Sequence, residues 1–381
     1  MLSTNAVRRD LLRLCAGLTA LAASPLRAAQ LSESDYLTAT ARILAGFEPE
    51  IEDERFVRLT EQQAWRSQIS ACRAGAAKVK QRLTTIDAWR RENLGDETSG
   101  STLVYPFSGP DFVNAYAMFP DCDNYVFFSL EEPGSPPALD RMDAEHLTRT
   151  LGDLRIALND LVHLNFFITP NMAEQVRTSS LRGVTPVLMA MMALLDLRIE
   201  RFSKIDLWPE RVQAIAESPP AKRPKLPMQA IQIDFLNPAS GRSQTLWYFS
   251  LDASDAQLKY YPEFVEWLRE FRDPVVLLKS ASYLLHGEGF RQVRSFILDR
   301  ANKIVQDDTG IPYRMLADEA WKVALHGQYE QPVDLFKKRY QSDLASAFSK
   351  SAGHQKAVPF PFGYNWRTRG NSFVIVARRA A

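Results

Sequence analysis

The sequence predicts an α/β fold: a mixed, mainly parallel Rossmann-like sheet behind an N-terminal helical section. Three observations carry this. Thr102–Phe107 and Asn124–Ser129 are short runs of β-branched and aromatic residues, the mark of buried strands. Between them Ser108-Gly109-Pro110-Asp111 breaks the chain, and a short helical pattern runs to Phe119. Pro110 suits a first helical position, because its fixed φ is helical and its missing N–H loses nothing there. Helical and strand patterns then alternate towards the C terminus, as in layered α/β sheets. Such a βαβ unit places polar residues at the carboxyl ends of its strands, where open α/β sheets bind ligands.

At 381 residues, 46% apolar and 24% charged, the chain can bury a large core as one big or two medium domains. A net charge of +1 gives no electrostatic case for nucleic acid or an anionic membrane. Residues 1–29 have the three parts of an export signal: basic Arg8, Arg9 and Arg13, an apolar run Leu14–Ala23, and a small-residue end at Ala28-Ala29. The Arg8-Arg9 pair is that of a twin-arginine signal, so the expected location is periplasmic or secreted. That segment holds four Arg and one Asp, so its removal takes the net charge from +1 to −2. Beyond it only Cys72 and Cys122 remain, either bonded to each other or as two buried thiols, and neither has zinc-ligand spacing.

In chain order, residues 30–100 form the helical section, with a long helix over Thr60–Leu94 marked by Trp65, Ile69, Cys72 and Ala76. A first α/β half covers 101–217. In it Leu147, Leu151, Leu154, Leu158 and Leu161 stripe a helix over Asp143–Ile168, and His163 beside Asp160 reads as a hydrogen-bonded histidine. Thr185-Pro186 opens a core helix with Met189, Met191 and Met192 as filler, and Arg198–Leu207 follows as a strand. Residues 218–227, with four prolines and three basic residues, read as a linker. The second half, 228–381, completes the sheet: a hairpin from Met228–Leu236 and Gln244–Leu251, a helix from Pro262, and a strand at Pro274–Lys279. A helix bearing Tyr283 and His286 comes next, then a helix over Gly289–Asn302 and a strand at Lys303–Gln306. Two helices marked by Trp321, Leu325, Leu335 and Phe336 follow, with a closing strand at Phe373–Ala377.

Several strings together resemble an uncharacterised family of exported bacterial proteins: YPFSGPD (105–111), NAYAMFP (114–120), KSASYLLH (279–286), QDDTGIPYR (306–314) and PFGY (361–364). The resemblance implies export and a shared architecture, and no activity. A weaker, fold-only likeness is to Rossmann-type methyltransferases, through strand–Gly–helix–strand and a closing C-terminal strand. Here the chain has one glycine in Ser108-Gly109-Pro110-Asp111, where those enzymes use a glycine-rich loop.

The polar groups at the predicted strand ends are the candidate site: Ser108 with Asp111, Glu131 with Glu132, Ser280 with Ser282 and His286, and Asp307 with Asp308. Carboxylates near a histidine can serve as general acid and base, so His286, Asp307, Asp308 and Asp111 are the candidate catalytic residues. Ser108, Ser282, Tyr283, Tyr313 and Arg314 are the candidate ligand-binding residues. No metal signature, Walker loop or Gly-x-Ser-x-Gly elbow occurs, and no cofactor is indicated. Two readings stay open. One is an envelope protein that binds a small molecule or partner at the strand-end cleft; the other is a hydrolase using these carboxylates and His286, with or without a metal.

Overall fold

A computed structural model describes residues 31–95, 101–164, 180–205, 228–351, 355–364 and 372–380. Residues 33–381 form one compact unit. Residues 1–29, expected to be an export signal, residues 218–227, expected to be a linker, and the side chains of Asp160, Leu161 and His163 lie outside the described residues.

The N-terminal section is helical: α1 Glu33–Leu44, α2 Glu54–Thr60 and the long α3 Gln63–Asn93. The central unit follows as β1 Thr102–Pro106, α4 Phe112–Met118 and β2 Asn124–Ser129, then α5 Ala144–Leu164 and α6 Thr185–Leu194. Strands β3 Arg198–Ile205, β4 Gln229–Asn237 and β5 Arg242–Ser250 come next. The rest comprises α7 Asp255–Leu258, α8 Pro262–Glu270, β6 Val275–Leu278, α9 Arg291–Arg300, β7 Lys303–Gln306, β8 Trp321–Gly327, α10 Ser342–Lys350 and β9 Phe373–Arg379.

The nine strands make one mixed sheet in the order β3-β4-β5-β2-β1-β6-β7-β9-β8. The ladders β1–β2, β1–β6, β2–β5 and β6–β7 are parallel, and the other four are antiparallel. The sheet is therefore evenly mixed, a correction to the mainly parallel expectation: on one flank β4 returns on β5 through a short connection, and on the other β9 inserts antiparallel between β7 and β8. Strands on either side of the 218–227 linker share this one sheet, since β5 pairs with β2.

Burial explains the chain pattern. β1, β6 and β7 are buried at every residue, as central strands covered on both faces must be; β6 is apolar throughout, whereas β7 begins and ends on the buried polar Lys303 and Gln306. On one face Val104, Val126, Phe249, Val276 and Ile304 pack against Phe264 and Leu268 of α8 and Phe296 and Ile297 of α9. On the other, Phe112 and Tyr116 of α4 meet Tyr125 and Phe235 in edge-on and tilted pairs with centroids 5.5–6.1 Å apart. The C-terminal end of α3 docks on the sheet through cations that satisfy its last carbonyls. Lys303 Nζ donates to Leu94 O (2.7 Å) and Arg378 to Asn93 O (2.5 Å), each also favoured by the helix dipole.

Four local expectations fail for physical reasons. Trp321–Gly327 is a strand, because the four-residue step from Trp321 to Leu325 fits period 2 as well as period 3.6. Leu335 and Phe336 lie in a short 3-10 segment, Asp334–Arg339, and the ordered helix comes later, with Leu344 and Phe348 inward. Pro110 precedes α4, which starts at Phe112 with Asp111 as its cap residue. The predicted helix of Tyr283 and His286 is only the 3-10 turn Leu284–His286, because Ser280, Ser282 and Tyr283 adopt left-handed backbone. Cys72 and Cys122 are both free thiols.

Candidate functional site

Eight non-glycine residues among those described have positive φ, and four of them sit at two adjacent strand ends: Phe107 (59°) after β1, and Ser280 (54°), Ser282 (52°) and Tyr283 (56°) after β6. Each such residue costs on the order of 1–3 kcal/mol and persists only where its surroundings over-determine it. The surroundings are identifiable. Phe107 N–H donates to Phe128 O (2.7 Å), extending the β1–β2 ladder. Asp307, after β7, accepts from Ser280 N through Oδ2 (2.9 Å) and from Thr309 N (2.9 Å) and Thr309 Oγ1 (2.5 Å) through Oδ1. Thr309 Oγ1 also accepts from Ala281 N (2.7 Å). Tyr364 donates to Ser280 O (2.8 Å) and meets the Ser282 hydroxyl (2.9 Å), and Tyr283 donates to Asp308. Gly363 permits this close fit: a Cβ there would lie 2.9 Å from Asp307 Cβ, and its φ of +69° already favours glycine. The Asp307-Asp308-Thr309 turn thus clamps the Ser280–Tyr283 turn.

Between these turns and the ends of β2 and β5 is a cleft of about 370 Å³. Phe107 and Gly109 line it from β1, Phe128–Glu131 from β2, Leu251–Ala253 from β5, Ser280–Ser282 and Leu284 from β6, and Phe290 from the turn before α9. Its volume is within the range of small-molecule sites, and its walls are largely apolar. The Ser280 hydroxyl is buried without a partner. Leu130, half-exposed, forms an apolar lip. A wider depression of about 870 Å³, lined by Glu132, His146, Arg182 and Lys204 among others, ends at Ser180, Ile205 and Met228, where the described chain stops.

The sequence-derived site residues divide into two groups. Ser282 lines the cleft, whereas Ser108 is buried beside it with an unpartnered hydroxyl. Asp111 does not cap α4 with its side chain. It faces Lys279 instead (2.5 Å), with side-chain exposures of 2% and 1%, and also accepts from Tyr105 (3.0 Å) and Asn114 (2.7 Å). Burial pulls the Lys279 ammonium below its ordinary pKa and the Asp111 charge pushes it back. Asp307 and Asp308 are fully buried and, like Asp111, line neither cavity. Tyr313 packs near Leu344 and Phe348, its N–H bonded to Gln341, and Arg314 is exposed. His286 packs edge-on against Tyr283 (centroids 5.1 Å apart) with its Nε2 buried and unpartnered. Among the described residues no group of three or more His, Cys, Asp or Glu could hold a metal ion, and no helix is long and apolar enough to cross a membrane.

The carboxyls and His286 still have a readable electrostatic role. Burial and the neighbouring Asp307 push Asp308 up to about 8, and burial also raises Asp307. Burial, Arg339 and Arg314 push His286 down to about 4. Asp308 makes the folded chain hold an extra proton between its ordinary 3.8 and about 8, so stability falls as pH rises there. His286 makes the unfolded chain hold the extra proton between about 4 and 6.5, so stability rises with pH in that window. The two oppose each other below pH 6.5. Above it Asp308 acts without that offset, and stability should fall by up to about 1.4 kcal/mol per pH unit until pH 8. Urea unfolding at pH 6.5 and 8 measures the fall, and Asp308→Asn should remove most of it. An unchanged fall in that variant would place the titrating group elsewhere.

Sequence reasoning missed Asp252, Leu251, Ala253 and Phe290 as cleft walls, and it placed Glu131 at the candidate site without a catalytic or binding role. Glu131 carried a signal: it stands 22 positions after Gly109, at the end of β2. Comparison with family models, curated proteins and solved structures finds no match for the chain.

Proposed function

We propose that the protein is an exported envelope protein with a Rossmann-like core that binds a small molecule in the cleft at the carboxyl ends of β1, β2, β5 and β6. The carrying observation is topological. Numbered among themselves, the five parallel strands run 3-2-1-4-5, so the chain reverses direction across the sheet between β1 and β6. Ligands of open α/β sheets bind outside the strand ends at such a reversal. The cleft lies there, and the four left-handed residues flank it. The same order, followed by β9 and β8, supports the fold-level likeness to Rossmann-type methyltransferases. Export rests on residues 1–29.

The hydrolase reading has weaker support. Its carboxylates are fully buried and spent on Lys279, on the Ser280–Tyr283 turn and on Tyr283 itself.

A thermal-shift screen of small molecules on residues 30–381 tests the binding reading, because a ligand at 100 times its Kd stabilises the folded state by about 2.7 kcal/mol. The half-exposed lip offers a control that should spare folding. Leu130→Trp, which narrows the mouth, should weaken any hit at least tenfold while leaving the melting temperature of the free protein near the parent value. A hit that binds Leu130→Trp as well as the parent occupies some other site.

A further inference from the structure

We infer that two copies of this chain pair through their β8 edges, antiparallel about a two-fold axis at Ala324. The two ends of the sheet treat their edges differently. At β3 the outer edge is closed by α1: Ser34 and Thr38 donate to Ile199 O (2.8 and 3.2 Å), and Ile199 N–H donates to Thr38 (3.1 Å). A register shift between Ile199 and Arg201 breaks the strand, and Arg198, Glu200, Arg201 and Lys204 put charge along it. Such devices keep a strand edge from accepting another strand. β8 has none of them. It pairs with β9 over seven residues without a shift, and its only acid or strong base is Lys322.

The ladder fixes which backbone groups of β8 face outwards. Ala380 N–H donates to Ala320 O (2.9 Å) one step past the ladder, so the even-numbered residues bond inwards, to β9. The odd-numbered ones face away: Trp321 N–H goes to Asp318 O (3.3 Å) and Gly327 N–H to Lys356 O (2.9 Å). Between them the N–H and C=O groups of Val323 and Leu325 meet no partner among the described residues, and both residues are only half-buried. Antiparallel strands exchange two hydrogen bonds at every second residue pair. With Ala324 on the axis, Val323 of each copy lies opposite Leu325 of the other, and all of these groups are satisfied at once. A slip by one residue would undo that match.

Charge favours a second copy over an unrelated strand. Lys322 of each copy comes opposite His326 of the other, which burial and Arg378 push below its ordinary pKa and so keep neutral at pH 7. Asp318 and Glu319 stand exposed before the strand, and the exposed Lys356 runs beside its end. The two-fold sets the acids of each copy beside Lys356 of the other, whose partner within one chain is Glu92. Opposite charges placed across a strand pair in this way are stabilising. The contact uses the same patch on both copies, so assembly stops at two.

Sedimentation equilibrium on the full chain tests this. So short a ladder buries less than a standard interface, and a dimer with a Kd on the order of 10 μM is expected. Ala324→Lys sets two ammonium groups face to face on the axis while leaving the β8–β9 backbone bonds in place, and should weaken the dimer at least tenfold. Cysteine variants test the register separately. Opposed Cα atoms at such a pair lie about 4.5 Å apart, so Ala324→Cys should form an inter-chain disulfide under mild oxidation. In Lys322→Cys the two thiols would start from Cα atoms about 13 Å apart and should stay reduced. The parent, with Cys15, Cys72 and Cys122, sets the background. If Ala324→Lys does not fold, the cysteine pair decides. A parent chain that stays monomeric at about 100 μM overturns the inference and leaves the edge to a strand of some other protein. A dimer that Ala324→Lys leaves intact, or cross-linking of Lys322→Cys as fast as Ala324→Cys, overturns it as well.

Discussion

Replacing Lys279 with methionine is expected to lower the free energy of unfolding by about 3–5 kcal/mol, the usual cost of breaking a fully buried ion pair. The pair joins the end of β6 to the turn after β1, with Lys279 Nζ 2.5 Å from Asp111 and both side chains almost wholly out of water. Water cannot re-solvate the carboxylate that the variant would strand. Tyr105 and Asn114 would still donate to it, so the loss should fall towards the lower end of that range. Asp111→Leu with Lys279→Met removes both charges, and the double variant should lose less than the two single losses added together. Urea unfolding of all three measures this. A Lys279→Met variant within about 0.5 kcal/mol of the parent, as expected of exposed pairs, would mean that the pair does not hold the two strand ends together.

The second large effect should come from Asp307→Ala. This carboxylate accepts three hydrogen bonds, two from backbone N–H groups of the facing turns. Orphaning a buried donor costs about 1–3 kcal/mol, so a total loss of about 2–4 kcal/mol is expected. The consequence for binding is more diagnostic than the stability. Without the clamp, Ser280 has less to hold it at a φ of 54°, and Ser280, Ala281 and Ser282 line the cleft. Asp307→Ala should therefore lose cleft ligands in calorimetry even at temperatures where it stays folded. Asp308→Asn, which keeps a side-chain acceptor for Tyr283, should bind normally. Equal binding by Asp307→Ala and the parent would show that the turn holds its shape unaided.

These two residues show how far the sequence could be read. Carboxylates at strand ends are visible as a pattern, and the strands β1, β2, β6 and β7 are legible because each carries a short buried stretch of β-branched, aromatic or other apolar residues. What the pattern lacked was direction. Asp111 and Asp307 turn into the protein, one towards a lysine that ends a different strand, the other towards a backbone N–H 27 positions away. Pairings at that separation leave no local periodicity. The left-handed turn at Ser280–Tyr283 was equally hidden, since serine and tyrosine carry no glycine-like signal and the conformation is imposed by Asp307, Thr309 and Tyr364 from other segments. β8 is ambiguous in the sequence because the four-residue step from Trp321 to Leu325 fits a helix as well as a strand, although its neighbours Lys322 and Val323 alternate. Glu131 is legible as a strand-end acid, but its place in the cleft comes from strand order, which only the assembled sheet supplies.

The most direct test is the electron density of a crystal of residues 30–381 soaked with a compound found by thermal shift. Density is expected between Phe107, Leu130, Glu131, Asp252 and Ser282. Density in the depression beside His146 and Arg182, or on the surface around Arg314, with the strand-end cleft holding only water, would contradict a ligand site at the point where the parallel strands reverse order.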